Sequence, residues 1–551
     1  LVKRGSGVLA ISNDNTYTGG TRISGGTVSV NMLSNSTRAY GGLGGVVESA
    51  DLFVMENGAT LQTTETVTQG SPMKMEGKDG GCVENLKDFI VETPVEGTLL
   101  TKKGDGWMKL NTVCPSLERL AINGGTVQCV ACDRPAQTVE FISGTLYENT
   151  GSSYAIHVPE GGSGTWSLAN RSTYNNKITG EGTLTIYCAV EHGNGWFATR
   201  TPVAVNLSLF TGTINATADM ADSYPRFTLN TSSGMPDGTL NITAGVTVQN
   251  TGRTFRIGKL AGKGTLGGYA SFANDGATGV NTWQVGCDDD FAWAGTVTAN
   301  SKFEKVGSGK MTVSGVWDNT GEVAVKEGTL CLNDRSAENA MLGSGELSVE
   351  DGAVLCGMGK LGNASVTVER GGRLYSGTRE GASSGTLDFS GKRLTVSTGG
   401  EVLFNVASKV RCTTLEGISS FSLRGTLKVS VREGLELEAG DEFQLWVANR
   451  TALSSACTLD LDSPGEGLEW DTSALENGIL KVKTATGITG VVSGEPVDCV
   501  VYTLDGARAG SFTCMPSEVG EYMERNGFRS GMYMVKMTQG QRTESRKVTV
   551  D

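Results

Sequence analysis

The chain has 551 residues, of which 78 are Gly and only 11 Pro, and carries a net charge of −13 from 46 basic and 59 acidic side chains. That length exceeds one ordinary compact domain, and the glycines do not recur at every third position as collagen requires. An acidic balance without a basic stripe argues against nucleic acid or anionic membrane as partners, and no apolar run reaches the ~18–20 residues of a membrane-spanning helix.

The chain opens with LVKRGSGVLAISNDNTYTGGTRISGGTVSV. In its last segment Val28 and Val30 alternate with Thr27 and Ser29, the period of a half-buried strand. The pattern returns at Leu100 as LTKKGDGWMKLNTVCPSLERLAINGGTVQC and at Phe303 as FEKVGSGKMTVSGVWDNTGEVAVKEGTLCL. Lys3, Lys102 and Lys305 align, as do the pairs Gly5/Gly7, Gly104/Gly106 and Gly307/Gly309. Each copy closes on a Gly-Thr strand: Gly26 to Val30, Gly125 to Cys129, Gly328 to Leu332. Partial copies run from Glu181 to Cys188 and from Gly343 to Gly377.

Each strand is short and is followed by Gly, Asn or Asp, residues that tolerate tight turns. One such unit cannot bury its apolar face alone, but stacked units can, so the imperfect repeat predicts a solenoid. Strand and turn alternating with little helix fit a parallel β-helix. Val28, Val30, Val127, Cys129, Leu184, Ile186, Leu330, Leu332, Leu347 and Val349 are the expected inward ladder. The repeated lysines are expected at solvated turns.

The motif residues from Leu1 to Val30 resemble the autotransporter-associated β-strand repeat in the form common in secreted Bacteroidota proteins. The resemblance extends through SVEDGAVLCGMGKLGNASVTVERGGRLYSG and into GTLKVSVREGLELEAGDEFQLWVA and GLEWDTSALENGILKV, which are similar to the closing segment of such arrays. It implies a right-handed parallel β-helix over 1–484, placed outside the cell or on its outer surface in a Gram-negative bacterium. It implies no particular activity.

A compositional change near Lys483-Thr-Ala-Thr-Gly487 marks a linker over 485–490. Residues 491–551 read as a small antiparallel β-sandwich. Cys499–Leu504 is a strand, Asp505-Gly506 a hairpin turn, and Gly531–Val550 a hairpin. This tail resembles a type A sorting domain of the type IX secretion system in Asp505, Gly506, Gly531, Tyr533, Val535, Gly540 and Lys547. Such a resemblance implies the secretion machinery as a partner. A terminal cap is the alternative role, since a solenoid needs its last apolar layer covered. Cys499 and Cys514 depart from the family pattern; they either pair or fill inward strand positions.

The remaining chemistry is sparse. The 12 cysteines are scattered and do not read as a disulfide framework. Cys129-Val-Ala-Cys132 lacks the second pair a zinc site needs. Asp288, Asp289 and Asp290 form the densest acidic cluster. Residues two apart on a strand share a face ~7 Å apart, which permits paired glycosidase carboxylates or a Ca²⁺ site, although a solvated turn is the plainer reading. No cofactor is expected beyond that candidate Ca²⁺. His157 and His192 are too few for a His-rich metal site. Trp196, Phe197 and Trp293, with Trp166, are candidates for stacking on a glycan, or else they pack onto the barrel. Together these observations predict a non-catalytic secreted or surface-attached module, a stalk or adhesin-like rod that contacts polysaccharide or cell-surface glycan. The alternatives are a β-helix polysaccharide lyase or glycoside hydrolase, and a pure carbohydrate-binding module.

Overall fold

The structure is a computed structural model. It describes every residue except 130, 149–150, 169–173, 189–201, 204, 219–225, 230, 251, 269–279, 299–300, 334–341, 383, 486–493, 541 and 551.

The repeat region is a parallel β-helix. Val2 pairs in parallel with Arg22, Arg22 with Val54, and Val54 with Lys74. The same stacking continues to Phe421 beside Thr451. One turn takes as few as 17 residues, from Val139 to Ile156, and as many as 33, from Thr27 to Thr60. The extra residues sit in turns, so register in the strands is kept while loop length varies.

The period of two decides which side chains enter. Thr27–Val30 alternates half-buried and buried. All ten side chains expected in the inward ladder are 0–1 % exposed. Leu330, for example, stacks between Met311 and Leu355. One continuous apolar core runs from Ile23 to Val482. Each coil alone is too thin to exclude water, so its apolar residues are stabilised by the coils on either side.

The Gly before each repeat strand is dictated by close approach. Gly328 has φ +64°, and a Cβ there would lie 2.5, 2.6 and 2.7 Å from the carbonyl oxygens of Gly307, Ser308 and Gly309. Gly26 and Gly125 occupy the same position at φ +67° and +61°, with the Lys3 and Lys102 ammonium groups 2.7 and 2.8 Å from that point. Gly328→Ala is therefore expected to cost about 2 kcal/mol. A urea midpoint equal to that of the parent chain would refute this account of the turn.

The parallel stack ends in a different geometry. Glu442–Gln444, Leu468–Asp471 and Ile479–Thr484 form an antiparallel sheet. Phe443, Leu480 and Val482 from this sheet join the main core, with the Trp470 ring edge-on to Phe443 at 6.0 Å. Antiparallel strands laid against the last rung cover its apolar face without starting another coil.

Beyond residue 493 a second, smaller core gathers Val497, Cys499, Val501, Val519, Met523, Val535, Met537 and Val550. Four antiparallel strands surround it in the order Arg508–Cys514, Val497–Thr503, Gly531–Gln539, Arg542–Val550. In the tail, expected to be a small antiparallel β-sandwich, the described residues form this antiparallel sheet, and a short helix, α1 (Val519–Arg525), packs against it. Val519 and Met523 are buried and four residues apart, so they share the face turned to the sheet. That spacing in SEVGEYMER is the signal that the strand-only reading passed over.

Candidate functional site

The aligned lysines are not at solvated turns. Lys102 and Lys305 are 0 % exposed and Lys3 is 9 % exposed. Lys305 stands in an otherwise apolar ladder between Val285 and Val325. Its Nζ donates to the carbonyls of Val306 at 3.0 Å, Gly307 at 2.7 Å and Glu327 at 3.1 Å. Lys102 donates to Lys103, Gly104 and Gly124 at 2.8, 2.6 and 3.2 Å. Lys3 repeats the pattern on Arg4, Gly5 and Gly25 at 3.0, 2.8 and 2.9 Å. Three donors on an ammonium satisfy three carbonyls, two from its own turn and one from the next coil. Burial pulls Lys102 and Lys305 down to about 8. The motif Lys-x-Gly-x-Gly is thus a structural device that joins successive coils.

A second polar site lies inside the core. Leu110, Cys129, Glu148, Leu168 and Cys188 stack in register on successive strands. Glu148 follows Leu146 at the next inward position of Thr138–Glu148 and is fully buried. Its carboxylate accepts from Trp166 Nε1 at 2.6 Å and from Ser152 Oγ at 3.2 Å. Asn176 backs this arrangement, with its Oδ1 3.0 Å from Ser152 Oγ and its Nδ2 donating to the Tyr154 carbonyl at 2.9 Å. Burial pushes the Glu148 carboxyl up to about 7, against the pull of the hydrogen bonds it accepts from Trp166 and Ser152. Cys129 and Cys132 are buried beside it, and their mutual interaction raises the first thiol and lowers the second. Sequence reasoning missed Glu148. Its signal was a Glu at an inward period-two position.

The acidic triplet faces solvent and is tied to neighbouring coils. Asp288 accepts from Ser308 Oγ at 2.7 Å, Asp289 pairs with Lys259 at 2.6 Å, and Asp290 accepts from the Lys310 amide at 2.8 Å. The hydrogen bonds from Ser308 hold the Asp288 carboxyl below the usual range. Each carboxylate therefore holds a different partner. Among the described residues, no group of three or more His, Cys, Asp or Glu could hold a metal ion.

The aromatic candidates divide. Trp293 and Trp166 are 2 % and 0 % exposed. Trp293 lies 5.9 Å from the Trp317 ring, and Trp166 lies edge-on to Tyr174 at 5.5 Å. Both rings face the core, which corrects the expectation that they stack on a glycan. Trp196, Phe197 and His192 lie outside the described residues. His157 shares a hydrogen bond with Thr179 at 3.1 Å across coils.

In the tail, Asp505 and Gly506 make the turn between Val497–Thr503 and Arg508–Cys514, with Gly506 at φ +87°. Tyr533 donates to the Arg529 carbonyl at 2.8 Å, and Val535 is fully buried. Gly531 begins its strand, Gly540 turns at φ +61° into the last strand, and Lys547 is exposed opposite Met534. These residues bring together turns, one core position and one surface charge rather than a pocket. Cys499 and Cys514 are both buried in this small core. The linker residues 486–490 lie outside the described residues.

Residues 1–30 match a family model described as the passenger-associated-transport-repeat. No curated protein matches the chain. The match covers the opening stretch on which the resemblance to autotransporter-associated repeats was read.

Proposed function

We propose that the chain is a non-catalytic passenger rod, secreted or attached at an outer cell surface, which displays its flanks as a stalk or adhesin-like element. The observation that carries this reading is the use of flank charges between coils. Arg22 holds Glu56 and Glu76 at 3.0 and 2.9 Å, Lys109 holds Asp88 at 2.6 Å, and Lys326 holds Glu304 at 2.9 Å. Carboxylates engaged in this way stabilise a ladder rather than converge on a scissile bond. The repeat match at the opening coil supports the passenger role. The Bacteroidota origin, the break at 485–490 and a sorting role for the tail belong to the same proposal, supported by the tail motif and its separate core.

A flank of Thr, Ser and Asn side chains between ion pairs suits contact with glycan hydroxyls, which both donate and accept hydrogen bonds. A glycan array run together with a polysaccharide turnover screen tests the proposal. The expected result is glycan binding without release of reducing ends or unsaturated uronate. Product release would overturn the non-catalytic reading and direct mutagenesis to Asp288–Asp290. No binding and no turnover would remove the glycan contact and leave a spacer.

A further inference from the structure

The outer face of a β-helix strand ordinarily meets solvent, yet one stretch of it is covered. Leu330 and Leu332 of Thr329–Asn333 enter the main core, so Cys331 between them points outward. Cys356 in Val354–Lys360 is its in-register partner on the next coil, and Tyr375 in Arg373–Ser376 follows on the coil after that. Both cysteines are nonetheless 0 % exposed. The segment 377–382 lies over them. Its Thr378 carbonyl accepts from Lys310 Nζ at 2.6 Å and lies 3.8 Å from Cys331 Sγ. Glu380 pairs with Arg373 at 3.0 Å, and the Ala382 carbonyl accepts from Asn405 Nδ2 at 2.8 Å.

Two thiols stacked in this way meet the Cα spacing that a cross-link needs. In-register strands lie ~4.8 Å apart, inside the ~4.4–6.8 Å between Cα atoms that a disulfide spans. The two thiols are near enough for each to shift the other's proton affinity. The neighbouring Cys356, aided by Lys310, pulls Cys331 down toward the thiolate, the form that attacks a disulfide. Cys331 beside it, together with burial, keeps Cys356 protonated.

We propose that Cys331 and Cys356 form an inter-coil disulfide when the chain meets a small-molecule or protein disulfide as oxidant. The Cys331 thiolate attacks one oxidant sulfur, forms a mixed disulfide and displaces one thiolate. Cys356 then loses its proton and attacks the Cys331 sulfur, expelling the second oxidant thiol. Two protein thiols give up two electrons and two protons, and the oxidant disulfide becomes two thiols. The product staples two successive coils beneath the segment 377–382, on the flank rather than in the core.

The test uses the whole chain, treated with oxidised glutathione both folded and during refolding from urea, then quenched with an alkylating reagent and digested without reduction. The expected product is one peptide containing Cys331 linked to one containing Cys356, together with a higher urea midpoint than the reduced chain. In Cys356→Ser the link disappears and Cys331 carries a glutathione adduct. Recovery of Cys331 and Cys356 in alkylated form from both samples overturns the proposal, whether or not other cysteines have paired. A link from either of them to a different cysteine overturns it equally.

Discussion

Lys305→Met is expected to lower the stability of the rod by about 4 kcal/mol, read as a lower urea midpoint by circular dichroism. Met keeps most of the stem volume and removes the ammonium. The carbonyls of Val306, Gly307 and Glu327, which it caps at 3.0, 2.7 and 3.1 Å, then lose a charged donor in a buried corner. A hydrogen bond to a charged group contributes roughly 1.5–3 kcal/mol, and a buried acceptor left unpaired costs about as much again. Although burial pulls the Lys305 ammonium down to about 8, it remains largely protonated at neutral pH and keeps its three donors. Lys302→Met is the control. Lys302 lies on the same strand but is only half-buried, 3.3 Å from an exposed Glu322, and such a surface pair contributes at most about 1 kcal/mol. If the two variants lose the same small amount, the repeated lysine is not a coil-joining device. Lys102→Met should behave as Lys305→Met, since its three acceptors are the same turn positions.

The second large effect is a pH dependence set by Glu148. Its carboxyl ordinarily titrates at 4.5 and is pushed up to about 7 by burial in the folded chain. Between those values the folded chain holds a proton that the unfolded chain has released. Stability is therefore fully present below about 4.5 and falls as pH rises toward 7. At ~1.4 kcal/mol per pH unit the loss across this window is about 3 kcal/mol. The expected result is a urea midpoint that declines from pH 5 to pH 8. Glu148→Gln, a neutral side chain that still accepts from Trp166, should flatten this decline and be the more stable form at pH 8. A decline of equal size in Glu148→Gln would assign the titration elsewhere. Trp166 and Ser152 supply neutral donors, and these partly offset the cost of the anion.

Much of the architecture was legible from local chemistry. The alternation in Thr27–Val30 and its copies identified strands and their inward residues. The Gly before each Thr marked a tight turn, and the spacing of copies implied stacking. These are properties of a few adjacent residues, so composition and period carry them. The tail hairpins were legible for the same reason, through Asp505-Gly506 and the alternation after Gly531. The helix Val519–Arg525 was lost because seven residues hold barely two turns of period.

What escaped were properties of neighbours one coil away. Lys102 and Lys305 are charged, and charge near glycine reads as solvent exposure. Only the stacking of turns places the carbonyl of the next coil over each ammonium. Trp293 and Trp166 read as stacking platforms until the coils closed around them. Glu148, Cys331 and Cys356 were unremarkable by sequence position, because register alone sets which side chains meet across separations of 19 to 25 residues. The sequence by itself determined the strand period, the turns and the solenoid. The tertiary structure alone decided which polar groups are buried and with whom, because the desolvation and pairing of a group depend on residues distant in the chain.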